Sequence, residues 1–131
     1  MGERIYLQII EGRLILIAII ECESLRISKQ IVQFVVDTGS SDSFLSELDV
    51  KRLKIPIKDK EVKNEIDFGG SRFKQVSLPK INLSALKTTK LSEKKIQIAQ
   101  TLSSILGIDF LKEQKLSLHI ILSENLAYLE S

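Results

Sequence analysis

Tryptophan is absent from this chain of 131 residues, which also holds only one cysteine, one histidine, one methionine and two prolines. With Cys22 alone, neither an intrachain disulfide framework nor a cysteine metal cluster can form, and a reducing compartment fits best. Cys22 sits in an apolar run and reads as a small buried hydrophobe rather than a nucleophile. The lone His119 follows Leu116 and Leu118 in an alternating stretch, so it reads as a strand residue rather than a metal ligand or base.

Aromatic residues make up only 5% of the chain, and the formal net charge is +2. Lys51, Lys58, Lys60 and Lys63 are interleaved with acidic residues, so there is neither a basic field nor a set of stacking platforms to suggest a nucleic-acid partner. Long apolar runs are missing too. The strongest, from Leu14 to Ile20, is closed by Arg13 and Glu21, far short of the ~20 residues needed to span a bilayer. Glu3, Arg4 and Glu11 near the N-terminus do not form the pattern of a cleavable signal peptide, and a cytoplasmic location is the expectation.

What remains is a composition of 44% hydrophobic and 27% charged residues, that of a globular chain, with a length suited to one domain over residues 1–131. Ile and Val are abundant and come in short alternating or continuous runs broken by Gly, Ser, Asn or charged pairs, which predicts a mostly β fold. Arg4–Ile10 and Arg13–Cys22 flank Glu11-Gly12 as a hairpin, and the second of these runs is apolar at odd and even positions, hence covered on both faces. A third strand is predicted over residues 31–36. Ser46, with Asp49 three residues on, predicts a short capped helix over 47–53, ended by Pro56. Val62–Phe68 and residues 72–78 flank Gly69-Gly70-Ser71 as a second hairpin with a glycine-rich tip. Strands follow at 80–86 and 95–99, separated by a polar loop over 87–94. Residues 104–111 pair an apolar Ile105-Leu106 with Gly107 and then take helical spacing, and 116–122 with 126–129 form a third hairpin.

The chemistry centres on Asp37. The tripeptide Asp37-Thr38-Gly39 arises by chance in roughly one in 60 chains of this length, so its setting has to carry the argument. It follows the hydrophobic strand Val32-Gln33-Phe34-Val35-Val36, which delivers the carboxylate from packed structure onto a turn. Phe34-Val35-Val36-Asp37-Thr38-Gly39-Ser40-Ser41, the later glycine-rich hairpin tip, and Ile105-Leu106-Gly107-Ile108-Asp109-Phe110-Leu111, in that order, resemble the landmarks of the retropepsin family of aspartic proteases.

The resemblance implies one lobe of a closed β-barrel acid-protease fold with one or two short helices. It implies an aspartic endopeptidase acting on peptides or unfolded protein, with no metal or other cofactor. The motif occurs once, so it also implies a homodimer in which each subunit supplies one Asp37. Two like charges about 3 Å apart do not both ionise cheaply, so the pair shares one proton and can act as base and acid together. By the same resemblance Thr38 bonds across the dimer, Gly39 lets backbone approach the carboxylate, and Ser40 bonds its outer oxygen. Phe68, Gly69, Gly70 and Ser71 form a flap over the substrate, with Phe68 and Phe73 either lining it or serving the core. Ile105, Leu106 and Gly107 pack beside the catalytic loop, and Asp109 caps or tethers rather than acting as a second catalytic acid. Ser41 and Ile108 stand where viral members often carry Asp and Arg, so dimer contacts are expected to differ.

Two other enzyme classes fail on the residues. A haloacid-dehalogenase-like phosphatase needs an acidic residue where Gly39 stands, and an actin-like nucleotide-binding fold needs a much larger chain. A retropepsin fold used as a non-proteolytic dimerisation or peptide-binding module is the remaining alternative of another class. An unrelated small β-barrel with an ordinary Asp-Gly turn is the third.

Overall fold

The computed structural model describes residues 3–55, 62–68, 71–85, 91–99 and 103–131. Along the chain come β1 (Arg4–Ile10), β2 (Arg13–Cys22), β3 (Ile27–Val36), β4 (Phe44–Ser46), α1 (Glu47–Arg52), β5 (Val62–Phe68) and β6 (Ser71–Ala85). They are followed by β7 (Leu91–Ala99), β8 (Ser104–Leu106), α2 (Ile108–Glu113), β9 (Ser117–Ile121) and β10 (Leu126–Glu130). The expectation of a mostly β fold with short helices is met. No helix among the described residues is long and apolar enough to cross a membrane.

The alternation in β3 gives it two unlike faces. Val32, Phe34 and Val36 are buried in the core, while Ile31 and Gln33 point outward and are exposed. Around Phe34 gather Leu16, Ala18 and Ile20 of β2, Leu45 of β4, Leu106 of β8 and Leu129 of β10. Leu14 to Ile20 contain no fully exposed residue, consistent with a strand covered on both faces.

The implied closed barrel is not what forms: the sheet is an open half-barrel. Among the described residues its ten strands run in the order β5-β6-β7-β4-β8-β3-β2-β1-β10-β9, and the end strands β5 and β9 do not pair with each other. The cause lies in β2, which has β3 along one edge and divides its other edge between two strands. β1 pairs at Gln8↔Ile15 through Ile10↔Arg13, and β6 takes over from Ala18↔Ala85 to Glu21↔Asn82. The curl therefore turns back onto β6 over the second half of β2 only and leaves β1, β10 and β9 outside it.

Four predicted boundaries move. β3 begins at Ile27, because a 3-10 turn at Glu23–Leu25 with left-handed Arg26 reverses the chain and restores pairing at Cys22↔Ile27. β6 runs through Pro79 as one strand, since the register against β7 jumps between Ser77 and Lys80 and the proline falls within that bulge. β7 begins at Leu91, inside the segment predicted as loop. Pro56 lies outside the described residues; α1 ends earlier, at Arg52, followed by Leu53 as C-cap and a left-handed Lys54.

The β1–β2 hairpin closes through Ile10↔Arg13 with Glu11 at φ 50° and Gly12 at φ 75°, the two positive angles of a type I′ turn. Glutamate is poorly suited to its place there, whereas asparagine tolerates it. Glu11→Asn should therefore stabilise the fold by about 0.5–1 kcal/mol. Chemical denaturation checks this as a higher midpoint at unchanged slope, and a lower midpoint would contradict the turn assignment.

Candidate active site

β3 and β8 lie side by side in parallel, with Phe34↔Ser104, Val35↔Ile105 and Val36↔Leu106 in register, so the two strands end at one level. Asp37 leaves the end of β3 and Gly107 the end of β8. The Asp37 N–H donates to the Leu106 carbonyl at 3.0 Å, which extends the pairing by one residue and fixes the start of the turn. Gly39 N–H donates to Asp37 Oδ1 at 2.8 Å, and Ser40 N–H donates to the Asp37 carbonyl at 3.2 Å. Asp37 is partly exposed, and its other carboxylate oxygen has no hydrogen-bond partner among the described residues. Thr38 and Gly39 are exposed, and the Thr38 hydroxyl is likewise without a partner among the described residues.

The loop is clasped from the β8 side. Ile108 N–H donates to the Ser40 carbonyl at 2.8 Å, and Asp109 N–H to the Ser41 carbonyl at 3.2 Å. Gly107 is buried, and a Cβ added to it would lie 2.5 Å from the carbonyl oxygens of both Ser40 and Asp42. Its φ of −95° is open to any residue, so the demand for glycine here is steric. The Ser40 hydroxyl donates to the Asp42 carbonyl at 2.7 Å rather than to the Asp37 carboxylate; the loop's inward-turned carbonyls draw it away.

Ser43 is the hub that sequence reasoning missed. Buried at 2% exposure, its hydroxyl accepts from Gly107 N–H at 3.0 Å and donates to Asp109 Oδ1 at 2.7 Å. Its own N–H donates to Asp109 Oδ2 at 3.1 Å. Both Asp109 oxygens are thus engaged, one of them also by Phe110 N–H at 2.7 Å, which leaves this carboxylate as a tether. Nothing in the run Ser40-Ser41-Asp42-Ser43 marks Ser43 out; only the fold selects it.

A second buried serine ties α1 to the same strand. Ser46 caps α1 by accepting from Asp49 N–H at 3.1 Å, as its spacing predicts. The Asp49 carboxylate does not reach back to Ser46 N–H as a capping box would have it. Ser104 bridges the two instead, accepting from Ser46 N–H at 2.9 Å and donating to Asp49 Oδ2 at 2.5 Å. Arg52 completes the corner, pairing with Asp49 Oδ1 at 3.1 Å and donating to the Ile31 carbonyl at 2.8 Å.

Of the other predicted site residues, Ile105 is partly buried and Leu106 fully so. Phe68 and Ser71 are cross-strand partners at the end of the β5–β6 hairpin, while Gly69 and Gly70 lie outside the described residues. A cavity of about 470 Å³ runs along the outer face of β3, lined by Ile15, Ile31, Gln33, Val35, Asp49 and Arg52 among others. No residue of the Asp37 loop lines it.

Comparison with known proteins bears on this geometry. The family model described as "gag-polyprotein putative aspartyl protease" matches residues 24–113, which includes the whole Asp37 loop and its β8–α2 clasp. The chain belongs to this family of retropepsin-like aspartic proteases. Among solved structures, EIAV protease complexed with the inhibitor HBY-793 is similar with a TM-score of 0.62 at 21% identity, over 85% of this chain and 96% of that one. A retropepsin-like aspartic protease from Rickettsia conorii is similar with a TM-score of 0.65 at 19% identity, over 99% of this chain and 92% of that one. At such identities the likeness speaks for the retropepsin-like fold. No curated protein matches the chain.

If steric fit at Gly107 holds the Asp37 loop against β8, a single methyl there must force the backbone apart. Gly107→Ala should destabilise the protein by roughly 3 kcal/mol. Urea unfolding measures this directly, and a loss below about 0.5 kcal/mol would show that the close approach is not a constraint.

Proposed function

We propose that the protein is an aspartic endopeptidase, active as a homodimer in which the two Asp37 carboxylates share a water between them. The observation that carries this reading is the state of Asp37. It stands on a partly exposed turn at the end of a core strand, with one oxygen held by Gly39 N–H and the other without a partner among the described residues. Family membership gives that arrangement its chemistry.

The Asp-Thr-Gly string occurs once in these 131 residues, and in this reading the second carboxylate comes from another copy of the chain. With one proton on the pair, the ionised Asp37 removes a proton from the water as its oxygen attacks the peptide carbonyl carbon. The protonated Asp37 of the other copy gives its proton to the carbonyl oxygen, which yields a neutral tetrahedral diol. Collapse returns one hydroxyl proton to a carboxylate and delivers the other carboxylate's proton to the amide nitrogen. The C–N bond then breaks to a carboxylic acid and an amine, and the pair again holds one proton.

The remaining roles belong to the same proposal. Thr38, exposed at the tip, bonds its counterpart across the two-fold axis and keeps the two loops in register. Gly39 allows the close backbone approach to Asp37, where an added Cβ would sit 3.1 Å from Oδ1. Ser40 holds the loop through Asp42. Ile105, Leu106, Gly107 and Asp109 brace it from below. Phe68, Gly69, Gly70 and Ser71 form the flap, which closes over an extended peptide and excludes water, with the glycines supplying the freedom to move.

Asp37→Asn protein should lose peptide-bond cleavage by at least about 10²–10⁴-fold. The assay is hydrolysis of unfolded casein across acidic to neutral pH, with a statine-type transition-state mimic expected to block the wild type. Cleavage undiminished in the variant would refute the assignment. A folded, dimeric wild type with no cleavage of any peptide would favour a non-proteolytic module.

A further inference from the structure

β3 is paired on both edges over only part of its length. β2 runs beside one edge from Ile15↔Val35 to Cys22↔Ile27, whereas β8 covers the other edge only at residues 34–36. Among the described residues no strand lies against that second edge from Ile27 to Gln33. The Asp37 N–H turns to Leu106 on this side, so by strand alternation Val35, Gln33 and Ile31 turn their backbone groups the same way. Arg52 bears this out at Ile31, whose carbonyl accepts from Nη2 at 2.8 Å. An open strand edge is a template for an added strand.

The side chains beside this edge are largely apolar. Ile15, Ile31 and Val35 line the cavity of about 470 Å³ on the outer face of β3, a size in the range of sites that hold a ligand. Ile31 is 53% exposed, and Leu48, one helical turn before Arg52 on α1, is 58% exposed. The polar part of the lining is balanced in charge, because Arg52 gives Nε–H and Nη2–H to Asp49 Oδ1 at 3.3 and 3.1 Å. Arg52 Nη1 and the amide of the exposed Gln33 have no partner among the described residues and offer hydrogen bonds without net charge. Such a lining suits the neutral amides and apolar side chains of a polypeptide, not a phosphate or a metal ion.

β3 also leads straight into Asp37. At about 3.3 Å per residue, Val35 lies about 7 Å and Ile31 about 20 Å back along the strand from the carboxylate's residue. We infer that the open edge of β3 and its cavity form a second recognition site for the substrate. Its occupant is an extended, uncharged apolar segment of the same polypeptide, several residues from the cleaved bond, added to β3 as a strand with a side chain set between Ile31 and Val35. The inference rests on the proposed endopeptidase reading and adds which part of the substrate is held away from the Asp37 loop. A segment so far from the reacting bond binds alike in the ground and transition states, so it lowers KM and leaves kcat unchanged.

The experiment uses a short peptide around one cleavage site mapped in casein, and the same site extended at both ends by about eight apolar, uncharged residues, enough to span from Asp37 to Ile31. Values of kcat and KM are measured for both peptides with the wild type and with Ile31→Glu protein. The expected result is a KM roughly tenfold lower for the extended peptide at equal kcat, a gain that Ile31→Glu abolishes while cleaving the short peptide as the wild type does. An extension without effect on KM overturns the inference and leaves the endopeptidase reading intact, and so does a gain that survives in the variant. A wild type that cleaves neither peptide overturns both. Should Ile31→Glu misfold, Gln33→Glu places a charge in the same cavity from another exposed position and decides in its stead.

Discussion

The carbonyl oxygens of Ser40 and Asp42 leave no room for a side chain at Gly107, and the Asp37 loop takes its shape from that close approach. The loop turns its carbonyls inward over Gly107, where Ile108 and Asp109 N–H groups meet them. Ser43 then drops into the space beside the glycine and bonds it and Asp109 together. With the loop pinned from below, the Asp37 carboxylate is positioned by backbone alone and faces outward. A buried N–H or hydroxyl left without its partner here would cost on the order of 1–3 kcal/mol, so each bond of the clasp helps to hold the loop.

Much of this was legible in the residues. The strand–turn sequence from Phe34 to Gly39 and the pairing of Ile105-Leu106 with Gly107 are local patterns, and local patterns survive folding. So are Ser46 as a helix cap and the Glu11-Gly12 turn. What the sequence could not supply is contact between residues far apart in the chain. Ser43 and Asp109 are 66 residues apart, Ser104 and Asp49 are 55, and nothing in either serine's neighbours announces its partner. The same limit explains the barrel. Whether ten strands close end to end depends on how β2 divides an edge between β1 and β6, a choice made by packing and invisible to periodicity. Pro79 misled for the opposite reason: a local rule that usually ends a strand was overridden by a bulge.

The clasp and the tip of the Asp37 loop differ in how far their polar groups are satisfied. The core around Phe34, the two serine hubs and the capped α1 satisfy their own groups within one chain. Asp37, partly exposed, and Thr38, exposed, each keep a polar oxygen without a partner among the described residues. A carboxylate with one oxygen held by backbone and the other without a partner among the described residues is what the proposed two-copy site requires of each half.

The most direct test of that half-site is mixing. Wild-type protein combined with inactive Asp37→Asn protein, at constant total concentration and allowed to exchange subunits, should lose casein hydrolysis as the square of the wild-type fraction. Mixed pairs hold one carboxylate too few. A loss in simple proportion to the wild-type fraction would mean that each chain carries a complete site of its own, and would contradict the shared Asp37 pair.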